Sequence, residues 1–244
     1  MHRTRSPRLS AIALSAMALC AQAQTPAGDP PQQLEAVIVT GQGRTQQLQS
    51  VPIAIQVLGA EQVRKLGASN LGDLNAHIPG LDVDANQPTQ PRMSLRGIGT
   101  SDFGIGTDSP VGIYVDGVYT GKTGGALLNF NDVKRIEVLK GPQGTLFGRN
   151  SAGGAIAVVT QEPEFRRSAS GLLRLGEHGL RQVEAIVNQP LGENLAWRAS
   201  VVSRRTDGEF RDAATGQRAG GDNSWGARLA LRLQVGDATQ ALLS

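Results

Sequence analysis

The chain has 244 residues, of which 39% are hydrophobic, only 4% aromatic, and 31 glycine; this allows one large or two small domains and argues against a single dense core. The formal net charge of +3 and the pI near 9.4 trace to Arg3, Arg5 and Arg8, and beyond residue 23 basic and acidic side chains balance at 21 each, which removes the electrostatic case for nucleic acid. The only cysteine, Cys20, lies in the same leader, so the rest of the sequence has neither disulfide nor thiol chemistry.

Residues 1–23 combine a basic start, an apolar run from Leu9 to Leu19 and the triplet Ala21-Gln22-Ala23. These are the three regions of a secretory signal peptide, and the run is too short to span a bilayer as a helix. An amphipathic N-terminal helix and a lipoprotein leader are the alternatives; Leu19 is too bulky for the position before a lipidated cysteine. Residues 24–34 carry three prolines and little apolar surface, as a flexible linker does. Glu35-Ala36-Val37-Ile38-Val39-Thr40 then forms an isolated β-prone segment. Such a segment is either the first strand of the next domain or a peptide offered to a partner for strand addition.

From Val51 the pattern is that of a small α+β domain. Ile53–Leu58 is expected as a strand, with short helices over Ala60–Leu66 and Asn70–Ile78, closed by Gly67 and by Pro79-Gly80. Short strands are expected over Leu81–Val83 and Met93–Ile98, and a helical turn over Leu127–Phe130. Val111–Tyr119 reads as a hairpin with Asp116-Gly117 at its two-residue turn. Ile136–Leu139 and Ala155–Val159 are two strands joined by a connector holding Gly141, Gly144, Gly148, Gly153 and Gly154. Fourteen glycines fall between Gly97 and Gly154, so this is a domain of tight backbone turns with little aromatic core.

After Glu164 the texture changes to period two. Apolar side chains recur at odd positions through Ala169–Leu175, Val183–Val187, Leu195–Val201 and Trp225–Val235, with a fifth segment starting at Thr239. Even positions hold Arg174, Gln182, Glu184, Arg198, Arg204, Arg228 and Arg232. Antiparallel strands with one apolar and one charged face, short turns at one end and a long polar loop (Thr206–Asn223) at the other fit a transmembrane barrel. A soluble sandwich is the alternative, but the arginine-rich face is a poor second layer.

No catalytic constellation stands out. Gly117–Thr123 has one residue too few between its glycines for a phosphate-binding loop, and His77 and His178 stand alone. Asp82 and Asp84 alternate along a solvated strand edge. The expectation is a non-enzyme with no cofactor or metal site.

The motifs resemble those of TonB-dependent outer-membrane receptors. EAVIVT (35–40) is similar to the TonB box, and SVPIAIQVL (50–58), LNAHIPGLDV (74–83), SLRGIGTSD (94–102), PVGIYVDGVY (110–119) and RIEVLKGPQGTLFGRNSAGGAIAVVT (135–160) are similar to successive plug motifs. The resemblance implies a signal peptide (1–23), a linker with the TonB box (24–50), an α+β plug domain (51–163) and the first four to five strands of an incomplete β-barrel (164–244). It implies energy-coupled uptake of a scarce nutrient, a ferric siderophore above all, from an outer-membrane location. The partners are TonB with its proton-gradient complex, outer-membrane lipid and the extracellular ligand, with no nucleic acid. Glu35–Thr40 would bind TonB, and Arg96, Arg135, Glu137 and Arg149 would make charged plug–barrel contacts. Loops near Pro88–Pro91 and Ser101–Ser109 would be the plug apices. Because so few strands cannot close around a plug, the chain is expected to be an N-terminal fragment; a soluble periplasmic plug-like module is the alternative.

Overall fold

The computed structural model describes residues 38–39, 46–84, 91–100, 102, 107–121, 129–208, 210–236 and 239–244. Met1–Val37, one unit of the chain, lies outside the described residues, and Ile38–Ser244 form the other. The latter opens with β1 (Ile38–Val39), paired antiparallel with β2 (Gln46–Gln47). β3 (Ile55–Gly59) leads into α1 (Ala60–Leu66), whose C-terminus is closed by Gly67 at φ +68°, the left-handed geometry a helix-ending glycine supplies. β4 (Leu81–Asp84), β5 (Arg92–Leu95) and β6 (Ile98–Gly99) form a three-stranded sheet. β7 (Val111–Val115), β8 (Val118–Tyr119), β9 (Val133–Lys140) and β10 (Gly154–Thr160) join β3 in a mixed sheet of order β3-β9-β10-β7-β8. Only β7 and β10 run parallel in it. A single helical turn, α2 (Gly144–Phe147), sits in the glycine connector between β9 and β10.

The core follows from the alternation of those strands. Ile136, Val138, Ile156 and Ile113 point to one side of the mixed sheet and meet Leu74, Ile78, Met93 and Leu95. Each fully buried aliphatic side chain contributes roughly 1.5–3 kcal/mol. The opposite side carries a smaller cluster around Tyr114, Leu139 and Ala155, with Phe147 at 4.6 Å from Tyr114 between ring centroids. Burial raises the Tyr114 phenol above its usual range; its hydroxyl donates to the Phe147 carbonyl oxygen at 2.7 Å.

The strands after Glu164 form a second, wholly antiparallel sheet of order β11-β12-β13-β16-β17. They are β11 (Ser168–Leu175), β12 (Arg181–Pro190), β13 (Leu195–Thr206), β16 (Asp222–Val235) and β17 (Thr239–Leu243). The sheet is open, with β11 and β17 as its edges. Odd positions face outward as expected: Trp225 is 77% and Leu173 68% exposed. Even positions face inward and are mainly small or polar, with Ala196, Gln182, Asn188, Ser200 and Ala230 buried, together with the apolar Val202.

Four local expectations change. Apart from Ala60–Leu66, the expected helix over Asn70–Ile78 is only a 3-10 turn at Gly72–Leu74. The Asp73 carboxylate accepts from the Ser69 and Asn70 amides, and Asn70 Oδ1 accepts from Gly72, so side chains take the donors a helix would use. Met93–Ile98 is not one strand but β5 and β6 around an Arg96-Gly97 turn, with φ +54° and +77°. The long Thr206–Asn223 loop holds a hairpin of β14 (Phe210–Arg211) and β15 (Arg218–Ala219). Asn129 and Phe130 take no helical turn, and the rest of Leu127–Phe130 lies outside the described residues.

Candidate functional site

The site is the seam where the small α+β domain meets the inner face of the open sheet, and it is built from two turn residues. Asp116 is the first residue of the two-residue turn between β7 and β8, with φ +48°. Its carboxylate accepts from the Thr160 amide at 2.8 Å and from the Thr160 hydroxyl at 2.6 Å, which caps the end of β10 where the chain leaves the domain. Asp132 has φ +57° and precedes β9; its carbonyl oxygen accepts from the Gln161 amide at 2.8 Å. Both aspartates occupy backbone geometry that Asp tolerates better than most residues.

Arginines on the even positions of the wall meet them. Arg198 Nε and Nη2 donate to the two carboxylate oxygens of Asp132 at 2.5 and 2.6 Å, with side chains 12% and 2% exposed. Arg228 lies two register steps along the neighbouring strand, 3.8 Å from Asp116 and 4.0 Å from Asp132, and donates to the Gln161 carbonyl oxygen at 2.9 Å. Arg232 donates to the Pro163 carbonyl oxygen, lies 4.0 Å from Glu162 and stacks 5.3 Å from the Phe165 ring centroid. Arg174 donates to the Gly67 carbonyl oxygen at the end of α1. The connecting segment is also clipped to β12: Asn188 Oδ1 accepts from the Glu164 amide, and its Nδ2 donates to the Glu164 and Arg166 carbonyl oxygens.

A bidentate pair as dry as Arg198–Asp132 adds little net stability against an apolar replacement of similar shape. Removing one partner, by contrast, leaves a buried charge and costs roughly 3–5 kcal/mol. The pair therefore fixes register more than it adds stability.

The residues expected to make charged plug–barrel contacts all belong to the small α+β domain. Arg135 Nε donates to Glu137 Oε1 at 2.6 Å, both on β9. Arg149 is 87% exposed, 3.9 Å from the Asp108 carboxylate. The Arg96 amide donates to the Gly80 carbonyl oxygen. Lys140 donates to Gln56 Oε1 and the Pro79 carbonyl oxygen, each at 3.0 Å; burial, and secondarily the nearby Arg96, lowers its ammonium below the usual range. Sequence reading named the wall arginines only as the charged face of the strands, and read Asp116 only as a turn. Nothing in the local sequence pairs residue 132 with residue 198.

Of the segment 35–40, only Ile38 and Val39 lie within the described residues; Glu35, Ala36, Val37 and Thr40 lie outside them. Val39 is 1% exposed, and the two residues already pair with Gln47 and Gln46. Most of the two expected apical loops (85–90, 101 and 103–106) is also outside the described residues. A cavity of about 260 Å³ lies between the end of α1 and the wall, lined by Arg64, Lys65, Arg174, Gln182 and Arg204 among others. No group of three or more potential metal-ligating side chains occurs among the described residues.

A small mixed domain held by buried arginine–aspartate pairs against the polar face of an antiparallel sheet, whose other face is apolar and exposed, is a plug seated on a barrel wall. Residues 47–155 match the TonB-dependent receptor plug domain family. Over 169 residues, 67% of the chain, it is 27% identical to the catecholate siderophore receptor Fiu of Escherichia coli (strain K12) and 29% identical to the pesticin receptor of Yersinia pestis. It spans 21% and 24% of those proteins, a quarter or less of their length. The crystal structure of the ferric yersiniabactin uptake receptor FyuA from Yersinia pestis superposes with a TM-score of 0.66 at 27% identity, covering 75% of this chain and 29% of that one. The pyoverdine outer membrane receptor FpvA from Pseudomonas aeruginosa PAO1 shares the fold, with a TM-score of 0.70 at 21% identity over 84% of this chain and 29% of that one.

Proposed function

We propose that the chain is the N-terminal part of a TonB-dependent outer-membrane receptor that imports a ferric siderophore, and that it is not an enzyme. The observation that carries this reading is the seam: a plug-family domain clamped by Arg198–Asp132 and Arg228 to a sheet whose outward face is apolar. The relatives named above as siderophore receptors support the cargo class. So does the basic cavity lined by Arg64, Lys65, Arg174 and Arg204, which suits an anionic chelate. The exposed apolar face of the five strands favours this reading over a soluble periplasmic module.

In this reading residues 1–23 are a cleaved signal peptide, 24–50 a linker, 51–163 the plug and 164–244 wall strands facing outer-membrane lipid. Glu35–Thr40 form the TonB box, paired by TonB through strand addition in the periplasm so that the proton gradient drives plug rearrangement. Arg96 and Arg149, with the Arg135–Glu137 pair, are proposed to face wall strands other than these five.

The test uses the protein expressed from its whole gene in an iron-limited Gram-negative host lacking its own siderophore receptors. Ile38→Pro removes an amide and the extended pairing geometry, so uptake of a radiolabelled ferric siderophore should stop while surface binding of the same chelate persists. Unchanged uptake would remove the TonB-box assignment.

A further inference from the structure

The contact between the small domain and the sheet is dry although the sheet is open. Asp132 is 2% and Arg198 12% exposed, while β11 and β17 still have free edges. The core of the domain is likewise closed, with Leu74, Ile78, Ile136 and Ile156 fully buried. A carboxylate and a guanidinium taken out of water need their partners in place, because a half-shielded charge is costly. Here the partners of Asp132 come from β13 and β16, and no later strand supplies one among the described residues.

The ties are also short in sequence. Thr160 is held by Asp116 at a separation of 44 residues, and Glu164 and Arg166 by Asn188 at 24 and 22. Arg198–Asp132, Arg228–Gln161 and Arg232–Pro163 follow at 66, 67 and 69. Together they fix the exit segment and the domain against β12, β13 and β16. The entropic cost of closing a loop rises with its length, and contacts of short separation form faster. A barrel, by contrast, closes only when its first strand pairs with its last. The chain spans 21% and 24% of the receptors it matches, so in a protein of their length that contact bridges a far longer stretch. Seating on an open sheet also spares a folded domain from entering a closed ring.

We infer that the plug seats on β11, β12, β13 and β16 while the sheet is still open, and that the wall closes around a domain already clamped in place. This rests on the barrel reading proposed above. The clamp is then an assembly device: it gives the inward arginines their counter-charges early and sets the register in which later strands add.

The only cysteine of the sequence lies in the leader, so introduced thiols report without interference. The Asn131 side-chain nitrogen is 3.8 Å from where a Cβ on Gly226 would stand, and that Cβ would make ordinary contact with Val202. Asn131→Cys with Gly226→Cys should therefore link once the plug is seated. The receptor is expressed from its whole gene in cells with an oxidising periplasm and pulse-labelled, and the linked and heat-modifiable forms are followed together. The linked form should reach half its final amount before the heat-modifiable form does. Asn131→Cys with Leu229→Cys, whose second thiol is on the outward face, should stay unlinked. Adding Asp132→Ala to the first pair should slow linkage roughly tenfold, as for a contact half formed in the transition state of seating. Val202→Cys gives a milder second measurement: this inward residue is 2% exposed, and its thiol should stop reacting with a maleimide before the heat-modifiable form appears. Linkage or shielding found only in molecules already heat-modifiable overturns the order. Equal linkage of the two pairs means that the domain holds no fixed place on the open sheet, and overturns it too. An unchanged rate with Asp132→Ala overturns the part given to the clamp. Absence of a heat-modifiable form in the wild type as in every variant removes the barrel reading beneath it.

Discussion

Asp132 has a positive φ and a carboxylate only 2% exposed, yet it faces two arginines from two different wall strands. Its replacement by alanine leaves Arg198 without its buried counter-charge and Arg228 with Asp116 alone, so the seam should lose roughly 3–5 kcal/mol. The lower denaturant midpoint of the purified receptor would register this, as would faster amide exchange at Gln161, whose amide donates to the Asp132 carbonyl oxygen. Glu162→Gln is the internal control. Its contacts to Arg232 and Lys134, at 4.0 and 3.8 Å, are half-exposed, and the change should stay within about 1 kcal/mol. Gly154 sets a second expectation at this scale. It is buried at φ +148°, and a Cβ there would collide with the Leu139 carbonyl oxygen and with Leu95. Gly154→Ala should destabilise the plug by roughly 1–3 kcal/mol through backbone strain, before any loss of packing, as read in the same denaturant titration.

At the scale of elements, the strands were the legible part. The period-two alternation after Glu164 needs no tertiary information, because lipid outside and a polar plug inside impose opposite chemistries on successive residues. The Asp116-Gly117 turn was legible for a similar reason: two positive φ values in a row admit few residue pairs. The Asn70–Ile78 segment misled because Leu71, Leu74 and Ile78 are spaced like a helix face. The local bonds of Asp73 and Asn70 decided otherwise. The seam was not legible, since it depends on register between residues 66 or more apart. The β14–β15 hairpin went unseen within a polar, glycine-rich loop, and its turn carries its own pH response. Asp212 Oδ1 accepts from the Thr215 and Ala214 amides, first the one and then the other, which holds its carboxyl below the usual range. A depressed folded value means the bonds stabilise the turn above the unfolded value, about pH 4, and are lost as pH falls through the folded value. Amide exchange at Ala214 and Thr215 should therefore accelerate only in that acid window beyond the intrinsic trend. Asp212→Asn should abolish the transition, and an unchanged pH profile in that variant would sink the account.

For the molecule as a whole, the open sheet sets the behaviour. β11 and β17 each expose an edge of unpaired backbone groups, and in hydrocarbon every such group costs several kcal/mol. Residues 1–244 expressed by themselves should therefore give no heat-modifiable, protease-resistant species in the outer membrane, whereas the product of the whole gene should. An inserted, resistant 244-residue species would mean that the edges are met in some other way, for instance by association of several copies.

The dryness of the Arg198–Asp132 contact has a further consequence. Mobile ions screen charges that share their solvent, over about 8 Å at physiological strength, and act far less on a pair whose side chains are 12% and 2% exposed. Exposed pairs such as Glu61–Lys65 will weaken as the medium becomes more saline, while Arg198–Asp132 changes little. On the outer-membrane reading proposed above, where no homeostasis controls the bathing medium, this pair makes the seating of the plug less sensitive to salinity than exposed contacts would.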